Sequence, residues 1–199
     1  MKKILFAAAL FGTVVAFATQ PNSNSLEKRI LCTACHGQDG ISTNPQWPSL
    51  AGQHAPYLLK QLQDFKQGKT RDAATMRAIV ASLSNEDMVE LADFYAKLPL
   101  PQGKTPSKYL QRGEQLYRCG DFGKHITACI ACHGPNGTGN AQAGFPALSG
   151  QHALYTIQQL QAFKDKTRTN DLNTIMGDIS KRMSQEDMEA VAYYLQGLH

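Results

Sequence analysis

Two short motifs carry the most specific chemistry in this chain. Cys32-Thr33-Ala34-Cys35-His36 and Cys129-Ile130-Ala131-Cys132-His133 each set two thiols three positions apart, with a histidine directly after the second. That spacing suits covalent attachment of a haem: the thiols reach the two vinyl groups of one porphyrin, and the histidine is held beneath the iron as its proximal ligand. Other chemistries fit less well. One zinc site built from all four cysteines would join pairs 97 residues apart and leave both histidines without a role. A redox dithiol expects a βαβ setting that the flanking sequence lacks. A disulfide across Cys-x-x-Cys staples little chain.

An iron held by one histidine has a further position to fill. A methionine there raises the potential and suits electron transfer, whereas a second histidine lowers it. Met76 and Met176 stand 40 and 43 residues after His36 and His133. Met76 also shares helical spacing with Ile79, Val80 and Leu83, so core packing competes for it. Met88 and Met188 recur on the apolar face of a helix, and Met183 aligns with Leu83; all three are expected in the core. His54 and His152 are a rival duplicated pair, expected near the solvent-exposed start of a helix after a Gly-Gln turn. His125 and His199 are unduplicated and expected at the surface. The spacing leaves methionine and histidine both open.

The elements that position these residues occur twice. Trp47-Pro48-Ser49-Leu50-Ala51-Gly52-Gln53-His54 recurs as Phe145-Pro146-Ala147-Leu148-Ser149-Gly150-Gln151-His152, and Gln61-Leu62-Gln63-Asp64-Phe65-Lys66 as Gln159-Leu160-Gln161-Ala162-Phe163-Lys164. Ser84-Asn85-Glu86-Asp87-Met88 returns as Ser184-Gln185-Glu186-Asp187-Met188. The order is kept and the offset drifts only from 97 to 100, which indicates a tandem duplication into two similar domains. The expected division is a signal peptide over 1–18, a first domain over 19–98, a Pro-rich linker over 99–107 and a second domain over 108–199. Helices are predicted over 26–34, 57–65, 108–118 and 155–163. Further helices follow the capping-box-like starts at Ser84 and Ser184. Stretches 37–52 and 134–150 read as loops, and no segment alternates well enough for a sheet.

Lys2 and Lys3, then an apolar run from Ile4 ending in Ala16-Phe17-Ala18, make an export signal cleaved after Ala18. Export implies an oxidising compartment, the periplasm of a bacterium. The run is short for a membrane span, and no apolar segment is long enough to make a multi-span protein. With 20 Lys+Arg against 16 Asp+Glu, and no basic block, a phosphate-reading nucleic-acid binder is excluded. Charge is nearly even in both copies. Domains this small have thin cores and often lean on a metal or cofactor.

On the paired Cys-x-x-Cys-His-Gly, the two Pro-x-Leu-x-Gly-Gln loops, the Gln-Leu-x-x-Phe-Lys helices and the Ser-x-Glu-Asp-Met helices, the sequence resembles the cytochrome c4 family of periplasmic di-haem c-type cytochromes. The resemblance implies an all-α fold of two tandem class I cytochrome c-like domains, each wrapped around one covalently attached haem c. It implies Cys32, Cys35, Cys129 and Cys132 as attachment sites, with His36, Met76, His133 and Met176 as axial ligands of the two irons. The Pro48 and Pro146 carbonyls match positions that accept the proximal histidine's other N–H. An extra loop from Gly120 to Thr127 is also a family feature. Cys119, an odd fifth thiol, reads either as a redox-sensing or intermolecular-disulfide cysteine or, the preferred expectation, as a small thiol packed buried behind Tyr117. The implied role is an electron carrier, not an enzyme, passing electrons from a quinol-oxidising cytochrome bc complex to a terminal oxidase. Such a role involves no nucleic acid and no small-molecule substrate, and is compatible with peripheral membrane association. The alternative is a di-haem subunit of an oxidoreductase such as a flavocytochrome sulfide dehydrogenase.

Overall fold

The computed structural model describes residues 23–199. The export signal and its cleavage site lie outside the described residues. The first copy contains α1 (Ser23–His36), α2 (Ala55–Gln67), α3 (Ala74–Val80) and α4 (Asn85–Ala96). The second contains α5 (Ser107–Arg118), α6 (Ile130–His133), α7 (Ala153–Lys164), a 3-10 turn (Leu172–Thr174), α8 (Ile175–Lys181) and α9 (Gln185–Gln196). Among the described residues there is no strand, only three isolated bridges. The helices fall where the repeats predict them, with two additions. The methionine segments are themselves short helices, α3 and α8. In the first copy one continuous helix runs through the Cys motif, whereas in the second the loop after Arg118 divides it into α5 and α6. That loop closes on itself through paired backbone bonds between Asp121 and Ile126, both 2.9 Å.

The last helix of each copy is fixed by the same device. The Ser84 hydroxyl accepts from the Asp87 amide (3.1 Å), and the Asp87 carboxylate accepts from the Ser84 amide (2.7 Å). Ser184 and Asp187 repeat this at 3.2 and 3.1 Å. The same aspartates then tie the helix to the one that leads to the Cys motif. Asp87 pairs with Lys28 of α1. Asp187 accepts from Arg112 of α5 at 2.6 Å and from Lys124 of the extra loop at 2.6 Å. Burial alone would raise the Asp187 carboxyl, but the Lys124, Arg112 and Ser184 hydrogen bonds outweigh it and hold it well below the usual carboxylate range.

Met88, Met188, Met183 and Leu83 are all buried core residues, as expected. The second copy has one continuous cluster in which Leu116 and Tyr117 of α5 meet Met188, Val191 and Leu195 of α9. The two helices approach closely at Gly113, where a Cβ would stand 2.4 Å from the Ala190 carbonyl oxygen. The first copy has two smaller clusters, Phe65-Val80-Leu83-Met88-Leu91 and Leu58-Ala92-Tyr95, and both pack on Cys32. Cys119 departs from expectation. It is exposed, because it ends α5 at the point where the chain turns away into the loop, while Leu116 and Tyr117 fill the buried face.

The two copies are sewn together by a reciprocal exchange. Gln53 donates to the Ala147 carbonyl and accepts from the Ala147 amide, both 2.9 Å. Gln151 donates to the Ser49 carbonyl (2.9 Å) and accepts from the Ser49 amide (3.0 Å). The Pro-rich segment between the copies is not free coil. Pro101 is buried, Thr105 donates to the Tyr194 carbonyl, and Gln196 donates to the Lys104 carbonyl. Gly150, at φ +69°, leaves the space that a Cβ would fill 1.8 Å from the Pro101 oxygen.

Replacing Asp187 by Asn should cost about 2 kcal/mol at neutral pH, the scale of charge-assisted hydrogen bonds to a buried carboxylate. Urea unfolding of the loaded protein checks this. Because the folded carboxyl is held low, its contribution is present above about pH 4 and fades as pH falls toward the folded value. The Asn variant should therefore approach the wild type as the pH is lowered.

Candidate functional site

Helical geometry gathers the first motif. Cys32, Cys35 and His36 stand at i, i+3 and i+4 on α1, one face of a single turn. In the second copy Cys129 precedes the one-turn helix α6, and the His133 amide donates to the Cys129 carbonyl (3.0 Å), giving the same arrangement. Burial raises the Cys32 thiol and pushes that of Cys129 up to about 11, so both stay protonated at neutral pH.

Both histidines are buried and oriented from behind. His36 Nδ1 donates to the Pro48 carbonyl at 2.8 Å, and His133 Nδ1 to the Pro146 carbonyl at 3.0 Å. A carbonyl can only accept, so each Nδ1 carries the proton and each Nε2 keeps its lone pair. Burial lowers the pKa of both rings and favours the neutral form. A neutral imidazole with a bonded Nδ1–H and a free Nε2 is a prepared metal ligand.

One cavity of about 1270 Å³ is lined by residues of both copies. Ordinary small-molecule pockets occupy roughly 300–1000 Å³, so this one is larger than a single such ligand needs. Cys32, Cys35, His36 and Met76 line it together with Cys129, Cys132, His133 and Met176. The structure thus brings all eight candidates to one space. Among the described residues no group of three or more His, Cys, Asp or Glu side chains is placed to hold a free metal ion. His54 and His152 do not line the cavity. Both are half-buried rather than exposed. They open α2 and α7: His152 Nε2 bonds the Ser42 carbonyl of the other copy at 2.8 Å, and His54 Nε2 is buried with no partner among the described residues. His125 and His199 are exposed, as expected.

The cavity wall also holds a pair of arginines that the sequence reading missed. Arg71 donates to Gln61 of its own copy (2.5 Å) and to Tyr155 (2.6 Å) and Gln159 (3.3 Å) of the other. Arg168 donates to Asn170 (2.8 Å) and Gln159 (2.9 Å) of its own copy, and to Tyr57 (2.9 Å) and Gln61 (3.3 Å) of the other. Each guanidinium also lies over a phenylalanine of its own copy, Phe65 at 4.5 Å or Phe163 at 4.4 Å. Both arginines are buried, and their direct partners are neutral groups. Burial opposes the Arg71 charge, but Tyr155, Tyr57 and Asp64 more than offset it. A signal was present: Lys69-Thr70-Arg71 recurs as Lys166-Thr167-Arg168. Its meaning depends on contacts between copies, which a repeat within one chain does not display.

Comparison with known proteins supplies an independent frame. A family model described as cytochrome c matches residues 28–98 and again 110–199. The chain is 42% identical over 188 residues to a cytochrome c4 from Pseudomonas aeruginosa, covering 94% of this chain and 93% of that protein. It is 39% identical over 167 residues to a protein from Stutzerimonas stutzeri named thiosulfate dehydrogenase electron acceptor, covering 82% of this chain and 76% of that one. Among solved structures, reduced recombinant cytochrome c4 from Pseudomonas stutzeri superposes with a TM-score of 0.85 at 41% identity, covering 88% of this chain and 97% of that one.

Arg168→Lys keeps the charge but cannot serve Tyr57, Gln61, Gln159 and Asn170 together. It should lower the unfolding free energy of the loaded protein by about 2 kcal/mol, measured by urea titration.

Proposed function

The chain belongs to the cytochrome c family, as a cytochrome c4-type electron-transfer protein with two cytochrome c domains and two covalently bound haem c groups, and on that premise we propose which residues hold each haem and what the pair of sites does. Cys32 and Cys35 hold the first haem, with His36 and Met76 as its axial ligands. Cys129 and Cys132 hold the second, with His133 and Met176. The observation that carries this reading is the convergence of both Cys-x-x-Cys-His motifs and both methionines on one cavity, with each histidine already turned by a proline carbonyl.

The cavity suits the group in a further respect. Its wall carries two buried guanidiniums, and among the described residues Asp64 is the one carboxylate that bonds into their partner network, through Asn170 at 2.6 Å. The acidic side groups of a haem would offset that charge. Bound there, each haem supplies a reversible one-electron Fe(III)/Fe(II) couple. The chain does the rest. Pro48 and Pro146 fix the imidazoles, the apolar helices wall the cavity, and Met76 and Met176 would supply each iron's remaining protein ligand, which would leave neither iron open to a substrate. The protein is an electron carrier.

The setting we propose is the periplasm, after cleavage of the export signal following Ala18. Electrons arrive from a quinol-oxidising bc-type complex and leave to a terminal oxidase. Docking is transient and, where complementary surface charges guide it, salt-sensitive. A second reading is favoured by the relative named thiosulfate dehydrogenase electron acceptor: the same two sites would take electrons from a sulfur-oxidising enzyme. Stopped-flow reduction by each candidate donor separates the two.

The ligand assignment is tested on protein made in a host that attaches haem. Wild type should carry two covalent haems and show the weak long-wavelength band of a ferric iron–methionine bond. Met76→Ala should keep both haems and lose about half of that band, and the Met76→Ala/Met176→Ala double variant should lose all of it. A full band in the double variant would overturn the assignment.

A further inference from the structure

Two positions that the duplication makes equivalent carry different chemistry. Tyr95 lies near the end of α4 and Leu195 near the end of α9, each seven residues after the buried methionine of its helix. The backbone confirms the match: the Gly52 amide donates to the Tyr95 carbonyl (2.9 Å), and the Gly150 amide to the Leu195 carbonyl (3.0 Å). Both side chains are buried, 2% and 3% exposed, and both line the cavity.

The Tyr95 ring packs with Leu58 and Ala92 and meets the Phe94 ring edge-on, and the same cluster touches Cys32. Its hydroxyl is buried with no well-formed hydrogen bond among the described residues, and it lies within electrostatic reach of the Cys32 thiol. Burial raises its pKa well above the ordinary value, with Cys32 adding to the effect, so the group is a neutral O–H donor. An unpaired buried hydroxyl is costly. The second copy handles the matter differently. Leu195 offers no donor, and the nearby Tyr117 gives its hydroxyl to the Gly134 carbonyl. The other buried polar side-chain groups without partners among the described residues, His54 Nε2 and Ser180 Oγ, belong to residues that do not line the cavity. A free buried donor is therefore a property of the first half of the cavity.

We propose that the Tyr95 hydroxyl donates a hydrogen bond to the first haem at its Cys32 attachment, where the sulfur can accept, and so makes the two redox sites inequivalent. This rests on the reading that Cys32 holds a haem. The positive end of an O–H dipole stabilises the electron-richer ferrous state, so the bond raises the first site's reduction potential. Tyr95 is thus a positioning residue that acts through the haem periphery and leaves the axial ligands to His36 and Met76.

The test uses the full haem-loaded protein with Tyr95→Phe, which keeps the ring and removes only the hydroxyl. Covalent haems are counted first, and the potentials are then resolved by spectroelectrochemical titration. The expected result is two haems per chain, one potential lowered, the other unchanged, and a lower thermal midpoint because a made hydrogen bond is lost. Leu195→Tyr, which introduces a hydroxyl in the second half, should raise the other potential. Unmoved potentials, an equal shift of both, or a higher thermal midpoint in Tyr95→Phe would overturn the inference while leaving the haem assignment standing. A wild-type protein with no covalent haem would instead overturn the assignment on which it rests.

Discussion

The structure depends on how two consecutive residues divide their backbone groups. In the loop after the first motif, the Pro48 carbonyl turns inward and takes the His36 Nδ1–H, while Ser49, the next residue, gives its amide and carbonyl to Gln151 of the other copy. Pro146 and Ala147 do the same for His133 and Gln53. Neighbouring backbone groups in an extended segment face opposite ways, so one short loop serves two purposes. It fixes the imidazole that faces the cavity, and it joins the copies. Proline suits the inward position because it has no N–H left to satisfy there. The orientation of each histidine ring is thereby tied mechanically to the seam, and a disturbance of either would be felt by both.

Around that shared frame the copies have diverged at specific places. The carboxylate of the last helix's capping box is held by Lys28 in one copy, and by Arg112 with Lys124 in the other. The second copy's extra loop supplies Lys124, so the loop also braces α9. Asp64, buried beside the arginine pair, has Ala162 as its counterpart. Tyr95 has Leu195. A duplicated chain that kept strict symmetry would offer two identical sites; these differences place unlike charge and hydrogen-bonding capacity around each.

Much of this was legible in the residues. The Cys motifs, the duplication and the helices set by apolar periodicity and capping boxes all depend on local sequence, and the capping boxes at Ser84 and Ser184 formed as their spacing implies. The proline carbonyls were expected by resemblance and are present. What escaped depends on contacts between segments distant in sequence. His54 and His152 follow a turn at a helix start and read as exposed, yet both are half-buried, and His152 reaches the Ser42 carbonyl of the other copy. Cys119 reads as a small apolar residue on an amphipathic helix, but it falls at the helix end, where the chain swings outward. The stretch 99–107 has a linker's composition, but its backbone is bedded on α9 through Thr105 and Gln196. The arginine pair repeats visibly, but its function arises only where the copies meet.

The cavity occupies the place where a larger domain would put its core. In the first copy, two small clusters meet at Cys32 instead of filling the centre with side chains. Apolar burial scales with area removed from water, at about 25 cal/mol per Å², and the residues facing the cavity gain it fully only when a group of matching shape lies against them. The guanidiniums of Arg71 and Arg168 add an electrostatic version of the same requirement, since two buried cations facing neutral partners are stabilised by an anionic neighbour. Loading of the two sites and docking of the two copies are therefore linked processes. On the proposed assignment, the residues that line the cavity specify at once where the redox groups sit and how the protein holds together.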